Sequence, residues 1–265
     1  MGATCSPQID QAVCVAFYSQ LREARARVLG DAEAYADVVH VIERLGMLLS
    51  GRIGDLGKYE PFVAWIASAS PLAIEVPELW RSFHTPFGLQ YRLIRHARND
   101  AVHQGAFARH LAAHSVGIAL TLEDALMSSL QSDPIVADFM VRTVVTSEFW
   151  HPVSYARQQM LSNSYSFLPI RDEEGHWHLL ADVGVARFLA VSEQKRKSRL
   201  AMRIGSAVRE GSDRLHLEPA NFCPASARLA DAIGLLGDKN QPVLIYDDDA
   251  HRDSVIGIVS AFDCL

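Results

Sequence analysis

The chain is poor in cysteine: four in 265 residues, at positions 5, 14, 223 and 264, with no CxxC pair and no zinc-finger spacing. That excludes a disulfide scaffold and a structural zinc module, and leaves these residues as small reduced side chains. Also lacking is any apolar run approaching the ~20 residues needed to cross a bilayer. The start, MGATCSPQID, has no basic flank leading into an apolar signal core. A cytoplasmic protein with no membrane partner is expected. There is no Walker loop, no Rossmann glycine pattern and no serine nucleophile motif. Positive charge is in deficit: 25 Lys and Arg against 31 Asp and Glu give −6, which argues against a protein that coats nucleic acid through bulk electrostatics. Apolar residues are not scarce. At 49% of this length they suffice for two ordinary cores.

What is present begins with a repeat. Residues 166–189 (SFLPIRDEEGHWHLLADVGVARFL) and 241–265 (QPVLIYDDDAHRDSVIGIVSAFDCL) share an apolar run around a proline, an acidic turn, a second apolar run and a helix-like start. Each reads as a hairpin leading into a helix. A helical stretch precedes each copy, Pro152 to Ser162 and Pro224 to Leu236. Each unit is therefore expected to run strand, helix, strand, strand, helix.

This order, with the closing Gly257-Ile258-Val259-Ser260-Ala261-Phe262-Asp263, resembles a tandem pair of CBS domains over the half of the chain from about Val141 onward. The resemblance implies an adenosyl ligand (AMP, ADP, ATP, S-adenosylmethionine or a cyclic dinucleotide) and no metal. It implies that Asp263 holds the ribose and Ser260 a ribose or phosphate oxygen. Backbone groups of Asn221, Phe222, Cys223, Pro242 and Val243 would read the adenine. The residue types suit that chemistry, since a carboxylate accepts two hydrogen bonds from a diol and a helix start favours phosphate. The same pair of residues also makes an ordinary helix cap with a first-turn carboxylate. Aligned on Phe188-Leu189 against Cys264-Leu265, the first copy has Ala181 for Gly257, Gly184 for Ser260 and Arg187 for Asp263. One well-formed nucleotide site per pair follows.

The first half reads as helical. Gln8 to Leu29 has apolar residues three to four apart and stops at Gly30; Asp31 caps a second helix through Leu49. A short helix follows from Tyr59 to Ala69, then a Pro-containing loop from Pro71 to Pro86, a helix from Phe87 to His103, and one or two more from Ala106 to Leu130. The expected fold class is α+β: a helical bundle over 1–132 followed by an α/β pair, 133–200 and 201–265.

Between Trp80 and Ser115 the charge balance reverses: five arginines and five histidines stand against Asp100 alone. Within this stretch Arg98-Asn99-Asp100-Ala101-Val102-His103 resembles the Arg-x4-His motif of the HEPN family of helical bundles. The resemblance implies a metal-independent endoribonuclease in which His103 exchanges a proton with the RNA 2′-hydroxyl, Arg98 stabilises the phosphorane and Asn99 orients one or the other. Arg92 and Arg95 would hold RNA phosphates. His and Arg suit that task at neutral pH. Five residues along a helix nevertheless set Arg98 and His103 about 140° apart. Convergence on one phosphate then requires unwinding or a second subunit, so a homodimer is expected. The alternative is a non-catalytic, nucleotide-responsive interaction or dimerisation module. His176 and His178 flank Trp177, with no third metal ligand near in the sequence.

Overall fold

The computed structural model describes residues 9–100, 105–130, 133–211, 213–237, 240–247 and 254–264, with backbone alone for 98–100 and 105–110. The class is α+β. Two compact units divide at Ser132/Asp133.

The first unit contains α1 (Gln11–Gly30), α2 (Tyr35–Ser50), α3 (Leu56–Ala67), α4 (Glu75–Leu79), α5 (Phe87–Asp100) and α6 (Gly105–Ser128). Cys14, Phe17, Leu21, Ala24 and Val28 recur at helical spacing on the buried face of α1. They meet α6, whose Ile118, Leu122, Ala125 and Leu126 are buried and which also packs on α2, α3 and α5. Between Asp31 and α2 lies a short 3-10 turn, and Asp31 accepts the Glu33 N–H at 2.9 Å. Asp55 caps α3 in the same way through Lys58. At Gly46 the α2 backbone approaches α3 so closely that a Cβ would sit 2.5 Å from Tyr59 Cβ. At the partly buried edge of the bundle Arg25 grips Glu123 with two 2.9 Å hydrogen bonds.

Two expectations change here. The 71–86 segment is not wholly loop, because α4 forms within it, with Pro77 buried. The stretch expected to hold one or two helices from Ala106 is a single helix, and it starts one residue earlier, at Gly105.

The second unit contains α7 (Val136–Phe139), β1 (Ser147–Glu148), α8 (Val153–Asn163), β2 (Phe167–Arg171), β3 (Trp177–Ala181), α9 (Asp182–Phe188), α10 (Glu193–Ala201), α11 (Ile204–Arg209), β4 (Glu218–Pro219), β5 (Asn221–Pro224), α12 (Leu229–Leu236), β6 (Val243–Tyr246) and β7 (Val255–Val259), closed by a 3-10 turn at Ala261–Asp263. Strand order is β1-β2-β3-β4 in one sheet and β5-β6-β7 in the other. In each the first pair is parallel across a helical crossover and the second is an antiparallel hairpin. Strand, helix, strand, strand thus occurs twice, as the repeat predicts, followed by an α-helix in the first copy and by the 3-10 turn in the second.

The sheets exchange edges. Strand β4, from the chain leading into the second copy, adds to β3 of the first, pairing Glu218 with Leu179. Reciprocally Val141, from the chain leading into the first copy, pairs with Ile258 of β7 through hydrogen bonds of 2.9 and 3.0 Å. Met140 lies across Gly257.

Candidate functional site

The parallel crossover β5-α12-β6 and the returning β7 bring the expected ligand-binding residues to one end of the second sheet. Asn221 opens β5 and is paired with Val243, which opens β6; Val243 is paired on its other side with Val259, the last residue of β7. Ser260 follows at once. Pro242, Val243 and Cys223 are buried, while Asn221 and Phe222 are half-buried. The Asn221 side chain donates to the Leu235 carbonyl at 2.8 Å, which ties the start of β5 to α12.

Ser260 and Asp263 face each other. One carboxylate oxygen of Asp263 accepts both the Ser260 N–H at 2.6 Å and the Ser260 hydroxyl at 2.8 Å. This is capping geometry, and it buries Asp263 to 6% exposure. An incoming diol would have to share or replace the Ser260 bonds. Phe262, between them, is 83% exposed.

Strand register revises the alignment of the two copies. Ser147 pairs with Ile170 and Cys223 with Ile245, each five residues before the residue that precedes α8 or α12. Ile170 pairs with His178 and Ile245 with Gly257. His178, not Ala181, therefore matches Gly257, Ala181 matches Ser260 as the helix-preceding residue, and Gly184 rather than Arg187 matches Asp263. Anchoring on the apolar pairs misplaced the frame by three residues, because α9 is a full α-helix where the second copy has a 3-10 turn. The first copy still has neither hydroxyl nor carboxylate at the matching positions.

Two residues at this end of the sheet were missed. Gln241, 9% exposed, donates to the Glu218 carboxylate at 2.8 Å and so links the approach to β6 with β4 of the other sheet. A polar residue directly before an apolar strand, Gln241-Pro242-Val243, was the available signal.

In the first unit Arg98 and Asn99 occupy the last turn of α5, with side chains outside the description, and His103 lies outside the described residues. Arg92 is exposed. Arg95 is held 2.8 Å from the Glu60 carboxylate, so its charge is already partnered. Next to it Tyr91 is buried and donates to the Leu56 carbonyl at 2.8 Å; burial, aided by the Glu60 and Glu43 charges, raises its phenol far above the ordinary value.

The first hairpin supplies what the sequence around His176 and His178 did not show. Asp172 accepts from His178 Nε2 at 2.9 Å and from the backbone N–H of Glu174 and of His176, while His176 Nδ1 stands 3.5 Å away. Among the described residues no group of three His, Cys, Asp or Glu is arranged to hold a metal ion, and no helix is long and apolar enough to cross a membrane.

No protein-family model matches the chain, and no curated protein does. Solved structures similar to its C-terminal half are CBS domain pairs. One is the CBS domain pair of protein MJ0100 in complex with 5′-methylthioadenosine and S-adenosyl-L-methionine: 18% identity, 50% of this chain and 94% of that one, TM-score 0.35. Another is CBSX2 in complex with AMP: 18% identity, 49% and 92% covered, TM-score 0.36. A third is the CBS-domain containing protein ATU1752 from Agrobacterium tumefaciens: 14% identity, 51% and 93% covered, TM-score 0.38.

Proposed function

We propose that Asp133–Leu265 is a CBS-type sensor of an adenosyl ligand, and that the helical first unit is the effector it governs. The observation that carries the sensor reading is the meeting of Asn221, Val243 and Ser260 at one sheet end, with Asp263 turned onto Ser260. Backbone groups at the strand starts would read the base, and the Ser260–Asp263 pair would exchange its internal bonds for a ribose diol. With Ala181 and Gly184 at the equivalent places in the first copy, stoichiometry is one ligand per chain. Isothermal calorimetry with AMP, ADP, ATP, S-adenosylmethionine and a cyclic dinucleotide tests this. Heat with at least one, at one site per chain, is expected; silence with all of them overturns it.

For the effector, the HEPN-like reading gives a metal-independent endoribonuclease acting as a homodimer. His103 takes the 2′-hydroxyl proton as the 2′-oxygen attacks the adjacent phosphorus. The bond to the 5′-oxygen then breaks and that oxygen is protonated, leaving a 2′,3′-cyclic phosphate, with Arg98 opposing the charge of the phosphorane. Single-stranded RNA in EDTA, with and without ligand, is the test. Intact RNA under every condition, or a His103→Ala preparation that cuts as fast as the parent, rejects it. A second reading, a non-catalytic docking module, is favoured by apolar exposure on the same unit: Ile53 90%, Phe83 79%, Leu79 76% and Trp80 59%.

A further inference from the structure

We propose that a groove beside the turn between α2 and α3 docks a short partner segment bearing bulky apolar side chains together with carboxylates. This deepens the docking reading of the helical unit and rests on it. The groove, about 530 Å³, is lined by Phe17, Arg44, Met47, Leu48, Arg52 and Ile53. It is built at the edge of the core, where the buried Phe17 of α1 meets the flank of α2. Val38, Val41, Ile42, Leu45 and Leu49 face inward, whereas Arg44, Met47 and Leu48 run along the flank of that face, with the two apolar residues 45% and 52% exposed.

Ile53 stands 90% exposed, which a loose loop would explain trivially, but this turn is pinned. Gly51 ends α2 at φ +65° with its N–H on the Met47 carbonyl. The Ser50 hydroxyl takes up the Arg52 N–H at 3.3 Å, the Tyr59 hydroxyl donates to the Arg52 carbonyl at 3.2 Å, and the Gly54 N–H donates to the Tyr59 hydroxyl at 2.6 Å. Tyr59 is itself locked under Gly46. A turn held at residues 50, 52 and 54 thus carries a large aliphatic side chain into water.

The chemistry of the occupant follows from the rim. Arg44 and Arg52 are both exposed and flank the apolar floor. Arginine beside methionine, leucine and isoleucine favours a segment whose apolar side chains fill the floor while its Asp or Glu side chains meet the guanidiniums, bidentate where geometry allows. A basic or uncharged segment would leave two cations beside a desolvated surface without compensation.

The experiment uses the full chain. A displayed library of short random peptides is selected on the parent, with counter-selection on the Arg44→Glu, Arg52→Glu double variant; all substitutions are at exposed positions, and unfolding curves verify the fold. The expected result is enrichment of peptides that combine Asp or Glu with bulky apolar residues. They should bind the parent at least about tenfold more tightly than either the double variant or Ile53→Ser, and weaken as salt rises. Absence of enrichment, or enriched peptides without acidic residues, overturns the proposal. Peptides whose binding ignores every groove substitution reject the groove but leave the docking reading in place. If the parent instead self-associates in light scattering and Ile53→Ser alone returns it to monomer, a second copy covers the groove and the proposal also fails.

Discussion

Met140 crosses Gly257 so closely that a Cβ on the glycine would lie 2.5 Å from the methionine sulfur and 3.0 Å from its Cγ. The glycine of the closing motif thus serves the approach of the segment that holds Val141 against Ile258. Gly257→Ala is expected to destabilise the second unit by about 1–3 kcal/mol through overpacking, read by chemical denaturation. It should also raise the exchange rates of the Val141 and Ile258 amides. Combining it with Met140→Ala should recover part of the loss, giving a coupling that independent sites would not show.

Asp263 separates capping from ligand recognition. Asp263→Asn keeps an oxygen for Ser260 and should cost less than about 1 kcal/mol of stability. It removes the charge from hydrogen bonds worth about 1.5–3 kcal/mol each, so ligand affinity in calorimetry should fall tenfold or more. Equal affinity in parent and variant would assign the pair to capping alone.

A pH effect follows from the first hairpin. Burial pushes the Asp172 carboxyl upward, but the His178 hydrogen bond, the N–H groups of His176 and Glu174 and the nearby His176 outweigh it and hold Asp172 below the ordinary carboxylate value. A carboxyl lowered in the folded state contributes stability above its unfolded pKa, about 4, and loses it as pH falls through the lower folded value. The stability of the second unit should therefore decline below about pH 4, and Asp172→Asn should flatten that decline in denaturation curves.

In the bundle, Glu123 is 6% exposed and Arg25 supplies both of its side-chain partners in the Arg25–Glu123 pair. Arg25→Ala leaves that carboxylate uncompensated and should cost about 3 kcal/mol. Arg25→Met with Glu123→Leu should be markedly less harmful than Arg25→Ala. Thermal unfolding compares the two.

The repeat and its hairpins were legible because alternating apolar runs and acidic turns are local signals, and the helices of the bundle because their apolar spacing is. The frame between the copies was not. Phe188-Leu189 and Cys264-Leu265 look equivalent by hydropathy, and only the pairing of His178 and Gly257 across from Ile170 and Ile245 shows the offset. The partner of His176 and His178 was hidden by chain reversal at the hairpin, although Asp172 lies four residues before His176. The Glu218–Gln241 bond and the Val141–Ile258 bridge join positions far apart in the chain, and neither residue type predicts its partner. Arg95 looked like a phosphate ligand because its neighbours in sequence are basic, while its neighbour in space is Glu60.

The exchanged edges order events during synthesis. Val141 emerges from the ribosome more than a hundred residues before Ile258, the group its backbone must bond. Before β7 is made, the segment from Pro134 to Val141 has already had to wait for Ala225, Ala227 and Leu229. The first copy in turn waits for β4 before its sheet has its fourth strand. Such long-range closure makes folding slow and late. A nascent chain paused before residue 255 would carry β6 as an open sheet edge.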